Sequence, residues 1–131
     1  MDDGEADGLT ESHDSYGKRV MRAAFGQRYG DMFTTEINYG AGRPARIDGT
    51  LDQNVAVELE SRVSKQVRGA VLDLLCHSYP KKLLVLLPVH MSDVDVTARQ
   101  CEFIFSKFLD GAVYRVVVLA GCGPNRALRR T

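Results

Sequence analysis

Residues 46 to 61 read RIDGTLDQNVAVELES. Two runs that alternate apolar and polar residues flank Asp52-Gln53-Asn54, three residue types that tolerate turns. A hairpin that pairs Leu51 with Val55 sets Asp48 directly across from Glu58. Opposed Cβ atoms on antiparallel strands lie about 4.5–5.5 Å apart, and like charges so placed repel. Glu60 comes two residues further along the same face. Such a set needs solvent or a counterion. A hard divalent cation is the natural counterion, since Mg²⁺ accepts two carboxylates and fills its shell with water. The main-chain carbonyl of Leu59, between the two glutamates, offers a further oxygen ligand. A solvated polar face on an edge hairpin would read the same way. Here, however, the second run leads straight into an apolar helix and a fully apolar strand, which predicts a central position.

The elements that must position these acids are set by periodicity. Val20, Ala23, Ala24 and Gln27 predict a short basic amphipathic helix over 16–28. Strands are expected at 33–39 (FTTEINY), 45–51 (ARIDGTL) and 55–61 (VAVELES). Val67, Ala70, Val71, Leu74 and Leu75 predict a helix from Ser64 to about His77. LLVLLPV, 83–89, suits a strand covered on both faces, usually a parallel one. Asp95 is placed to cap a helix over about 96–109, with Cys101, Ile104, Phe105 and Phe108 inward, and YRVVVLA, 114–120, reads as a last buried strand. The order αβββαβαβ predicts an α/β fold. Its mixed five-stranded sheet would hold an antiparallel meander, then crossover helices, with helices on both faces.

Asp48, nine intervening residues, Glu58-Leu59-Glu60 at the end of an apolar strand, and then a helix: this pattern resembles the PD-(D/E)xK nuclease superfamily, with an ExE variant of its motif. The resemblance implies the restriction-endonuclease-like fold, whose core runs αβββαβ, over about residues 16–90. It implies a Mg²⁺- or Mn²⁺-dependent endonuclease that hydrolyses phosphodiester bonds, with DNA the first expectation for its nucleic-acid partner. By the same resemblance Asp48 and Glu58 hold the metal, with the Leu59 carbonyl and Glu60 as further ligands. Glu60 stands where the family usually has Lys, and serves as ligand or general base. Lys65 or Arg68, in the next helix, would supply the missing positive charge, which places Lys65 among the expected catalytic residues. Gln66 occupies a helix position where several branches carry a Gln. The first helix often adds an acid, for which Asp31 and Glu36 are the nearest candidates. Lys18, Arg19, Arg22, Arg43 and Arg46 would contact phosphates, which positions nucleic acid without reading its sequence. Inactive members also lack the Lys, so the alternative is a nuclease-fold module for nucleic-acid binding or protein assembly.

Composition bounds these readings. The chain has 131 residues, the size of one domain, and its 44% hydrophobic content suffices for one core. No apolar run reaches about 18 residues, so no membrane span is expected. Residues 1–15 carry six acids and no Lys or Arg. They predict a disordered acidic tail, followed by a single nuclease-like domain over 16–131. Removing those six from the 17 acids leaves 11 against 17 bases, a formal +6 for that domain. Such a charge suits a polyanionic partner and also ordinary solubility. Three widely spaced cysteines without zinc spacing point to a reduced, cytoplasmic protein. A homodimer or membership of a larger complex is compatible with the small size. The Gly-rich stretches GAGRP and GCGPN match neither a P-loop nor a dinucleotide fingerprint.

Overall fold

The computed structural model describes residues 12–31, 36–62 and 64–119, apart from the side chains of Glu36, Ser64 and Lys65. Strand β5 (Val55–Glu60) is the axis around which the sheet is arranged. Its alternation sends Val57 and Leu59 to one face and Ala56, Glu58 and Glu60 to the other. Strand β4 (Gly49–Leu51) pairs antiparallel with it, Leu51 opposite Val55, in the register expected from the turn. Asp52 and Gln53 turn the chain with φ of 54° and 53°. The Arg28 guanidinium grips Asp52 through two hydrogen bonds of 2.9 and 2.7 Å and pins the turn.

On the other side of β5, strand β6 (Lys81–Leu86) runs parallel to it, and β7 (Tyr114–Val118) runs parallel to β6. Strand β1 (Tyr29–Gly30) pairs antiparallel with β4, giving the order β1-β4-β5-β6-β7. Helices α2 (Ser64–Cys76) and α3 (Val94–Ser106) bury Val67, Leu74, Leu84, Leu86 and Phe105 against one face. Helix α1 (His13–Phe25) covers the other, where Tyr16 and Met21 meet Val57, Leu59, Val85 and Leu87. The fold is therefore α/β, with a mixed five-stranded sheet flanked by three helices. No helix among the described residues is long and apolar enough to cross a membrane.

Several elements depart from the expected ones. The strand expected at 33–39 falls partly on residues 32–35, which lie outside the described residues. Its remaining part, β2 (Glu36–Ile37), pairs with β3 (Ala45–Arg46) in a separate two-stranded sheet, and β1 takes the first place in the meander. The strand expected at 45–51 is broken between β3 and β4. Asp48 sits at the break, and its carboxylate accepts the Leu59 N–H at 2.7 Å, a strand donor that would otherwise extend the ladder. Helix α1 starts three residues ahead of Tyr16 because Ser12 caps it, Oγ accepting the Ser15 N–H at 3.1 Å. Asp93, not Asp95, caps α3, which ends at Ser106 and leaves Phe108 outside it and exposed. Strand β7 is a sheet edge rather than a buried strand, and Val117 and Val118 are partly exposed.

Gly49 lies where β4 meets the buried Tyr29 ring. A Cβ there would come within 2.5 Å of Tyr29 Oη and 2.6 Å of two ring carbons. Gly49→Ala should therefore lower stability by about 1–3 kcal/mol, seen as a lower urea midpoint at unchanged slope. A midpoint equal to wild type contradicts this packing.

Candidate functional site

A cleft of about 510 Å³ opens at the carboxyl ends of β5 and β6. Open α/β sheets commonly place ligands at this end. Glu58, Glu60 and Leu87 line its sheet side. Gln66, Gly69, Ala70 and Asp73 line its helix side, at the i, i+3, i+4, i+7 spacing of one face of α2. Gly69 and Ala70 keep that face low, so the acids of β5 are not covered by bulk. Asp14, in the first turn of α1, also reaches the cleft.

The hairpin register brings Asp48 and Glu58 together, as the sequence suggested. The Glu58 carboxyl faces Asp48 across the hairpin and shares the cleft with Asp73 of α2. Glu58 is only 6% exposed. Its neighbour on β6, in register, is the fully buried Leu84. Burial in these surroundings pushes the Glu58 carboxyl far above the usual carboxylate range, and Asp48 and then Asp73 push it further. Asp73 is held from outside as well: the Tyr39 hydroxyl donates to its Oδ1.

Glu60 lies in the same cleft, 4% exposed, but has a counter-ion of its own. Arg62 takes both its oxygens, through Nε and NH2 at 2.8 Å each, and the Arg62 backbone N–H adds a third bond at 2.8 Å. Burial alone would raise the Glu60 carboxyl. The Arg62 bonds and charge outweigh it and hold the group below its ordinary value. Arg62, two residues on, sets a positive charge beside Glu60, while Arg68 lines a separate exposed groove with Phe103. The Lys65 side chain lies outside the described residues, as does that of Glu36.

Of the expected phosphate contacts, Arg46 lines the cleft, and Arg43 sits on the exposed 40–44 loop. Lys18 and Arg22 lie on α1 and both pair with Asp31, Lys18 at 3.9 Å, while Arg19 lies over the Tyr16 ring at 5.2 Å. Asp31 is thereby occupied as a counter-ion rather than placed in the cleft. Gln66 turns its Oε1 into a buried position with no hydrogen-bond partner among the described residues. Sequence reasoning missed four residues: Asp14, Asp73, Tyr39 and Arg62. Asp73 could have been found from its position seven residues after Gln66 on the same helix face. Arg62 could have been found from its closeness to Glu60.

The donor set suits a hard cation: carboxyl oxygens from two adjacent strands, with the Leu59 main chain between Glu58 and Glu60. Among the described residues, no group of three or more His, Cys, Asp or Glu side chains is arranged so that it could hold a metal ion. Two carboxylates with water nevertheless suffice for Mg²⁺. Comparison with protein-family models, curated proteins and solved structures finds no match to the chain.

The raised Glu58 carboxyl makes stability depend on pH. Above its ordinary value of 4.5, the unfolded chain releases this proton while the fold retains it. The stabilisation is therefore fully present below that value and declines as pH rises above it. Glu58→Gln keeps the shape of the protonated group and does not titrate. In metal-free buffer it should raise the melting temperature more at pH 8 than at pH 5. Equal shifts at both pH values would mean that Glu58 is ionised in the fold.

Proposed function

We propose that the protein is a metal-dependent phosphodiesterase that acts on nucleic acid, with Asp48 and Glu58 as its metal ligands. The observation that carries this reading is the contact of two carboxyls from adjacent antiparallel strands inside a cleft. Nothing in the packing of a sheet requires a buried carboxyl beside a second, half-buried one, and a cation is what would compensate them once both ionise. Support also comes from the chain order: helix, the main-sheet strands β1, β4 and β5, helix and parallel strand resemble the αβββαβ core of the PD-(D/E)xK nucleases, the restriction-endonuclease-like fold, with β2 and β3 inserted between β1 and β4. DNA is the first substrate to test.

In this reading Asp48 and Glu58 hold the ion, with the Leu59 carbonyl within the same strand as a further oxygen. A bound Mg²⁺ or Mn²⁺ would neutralise phosphate charge and lower the pKa of its water. Leu59 N–H fixes the Asp48 carboxylate, so that ligand is oriented before any ion arrives. Glu60 is kept ionised by Arg62 and, with both oxygens engaged, is a restrained general base. Arg62 supplies the positive charge that the family takes from its Lys. Arg46, at the cleft, and Arg43, on the adjoining loop, are the preferred phosphate contacts because of their position, whereas Lys18 and Arg22 lie on α1 beside Asp31.

A second reading keeps the fold and drops the catalysis: a nucleic-acid-binding or assembly module. The Glu60–Arg62 pair favours it, because it fills the position of the family Lys with a closed ion pair.

Cleavage of plasmid, single-stranded DNA and RNA with Mg²⁺ or Mn²⁺, with melting temperature measured in parallel, separates the two. The phosphodiesterase should cut at least one substrate and melt higher with Mn²⁺. Asp48→Asn should abolish both effects. Equal cutting by Asp48→Asn sinks the assignment to this hairpin. A Mn²⁺-dependent melting shift without cleavage moves the non-catalytic module ahead.

A further inference from the structure

One contact at the cleft has no part in the chemistry proposed for the metal. Tyr39 belongs to the loop 38–44, between β2 and β3, and is 43% exposed. Apolar packing therefore does not account for its placement. Its polar end is committed: the hydroxyl donates to Asp73 Oδ1 on α2. Asp73 lines the same cleft as Glu58 and Asp48, and its charge acts on the Glu58 carboxyl. A chain of side chains thus runs from an exposed loop to both proposed metal ligands.

The loop is built to hold that end in place. Asn38 Oδ1 accepts the Gly40 N–H at 2.7 Å, a local turn. Gly40 and Gly42 take φ of 91° and 73°, which other residues reach only with strain. The same segment carries Arg43 and runs on to Arg46, the preferred phosphate contacts. One short stretch of chain therefore bears both the basic side chains and the hydroxyl that fixes Asp73.

We propose that Tyr39 is a positioning residue for the metal-binding carboxyls: its hydroxyl fixes Asp73, Asp73 fixes Glu58, and loop 38–44 is thereby coupled to ion binding. The inference rests on the metal site of the phosphodiesterase reading. Its physical basis is that carboxylate ligands bind well only when their own outer partners hold them in one orientation. Losing such a partner typically costs about 10–100-fold in metal affinity or activity. Tyr39 is partly exposed, so the lower end of that range applies.

The test is a calorimetric titration of Mn²⁺ into the full-length chain, as wild type, Tyr39→Phe, Asp73→Asn and the double variant, with metal-free melting curves to establish folding. Tyr39→Phe removes only the hydroxyl and should weaken Mn²⁺ binding by about 10-fold. Asp73→Asn should weaken it at least as much. The double variant should bind no more weakly than Asp73→Asn alone, because the hydroxyl acts through Asp73. A bond that merely staples the loop to α2 would leave Mn²⁺ affinity unchanged in folded Tyr39→Phe, and that result overturns the proposal. Penalties that multiply in the double variant overturn it too. If Asp73→Asn does not fold, the Tyr39→Phe affinity alone decides. Wild type that binds no Mn²⁺ overturns the metal site itself, and the coupling with it, which distinguishes the two failures.

Discussion

A carboxyl buried between two others is the constraint around which this structure is organised. Glu58 lies at the end of a central strand, beside Leu84, with Asp48 on one side and Asp73 on the other. Removing an ionised carboxylate from water is costly, and like charges at this range make it costlier. The fold meets the cost by keeping a proton in the cluster. A protein selected only for stability would place an apolar residue here, as the preceding Ala56 does on the same face. Retained instability of this kind marks sites with work to do, since natural proteins tolerate such strain where function needs it.

The scaffold explains how the acids meet. A turn at residues 52–54 sets the register of β4 against β5, and one rung beyond the last pair, Asp48 comes opposite Glu58. Asp48 then leaves the ladder and bonds Leu59 N–H, which bends the chain into β3 and anchors the carboxylate in one step. Helix α2 passes over the strand with Gly69 and Ala70 toward it, leaving a cleft where a bulkier face would have sealed the sheet. Glu60, further out on the same face, is handled differently: Arg62 compensates it directly. Two glutamates separated by one residue thus shift in opposite directions, Glu58 towards holding its proton and Glu60 towards losing it. The difference comes from what each touches.

How much of this was legible in the sequence depended on the range of the interaction. The hairpin register could be read because turn chemistry and strict alternation are local and agree. The parallel strand β6 could be read from its unbroken apolar run, and the α2 core stripe from its spacing. The first strand of the meander could not. Tyr29-Gly30 is too short to show any period, whereas FTTEINY shows a stronger β pattern and draws the assignment to itself. The fraying of 45–51 at Asp48 depends on a side-chain bond that no periodicity announces. Asp73 and Tyr39 enter the site through contacts 15 and 34 residues apart in the chain, to Glu58 and to Asp73 respectively. Such contacts become visible only once α2 and the 38–44 loop are placed in space. The caps at Ser12 and Asp93 are present in the sequence, but neighbours with similar chemistry mask them.

Counting protons tests the central claim most directly, because ion binding to a protonated cluster must release them. Mn²⁺ titrated calorimetrically near pH 7, in two buffers of different ionisation enthalpy, gives that number. If Glu58 holds its proton between Asp48 and Asp73 and yields it to the ion, binding should release about one proton per metal, and Glu58→Gln should abolish the release. Tight Mn²⁺ binding without proton release, or release unchanged in Glu58→Gln, would contradict it.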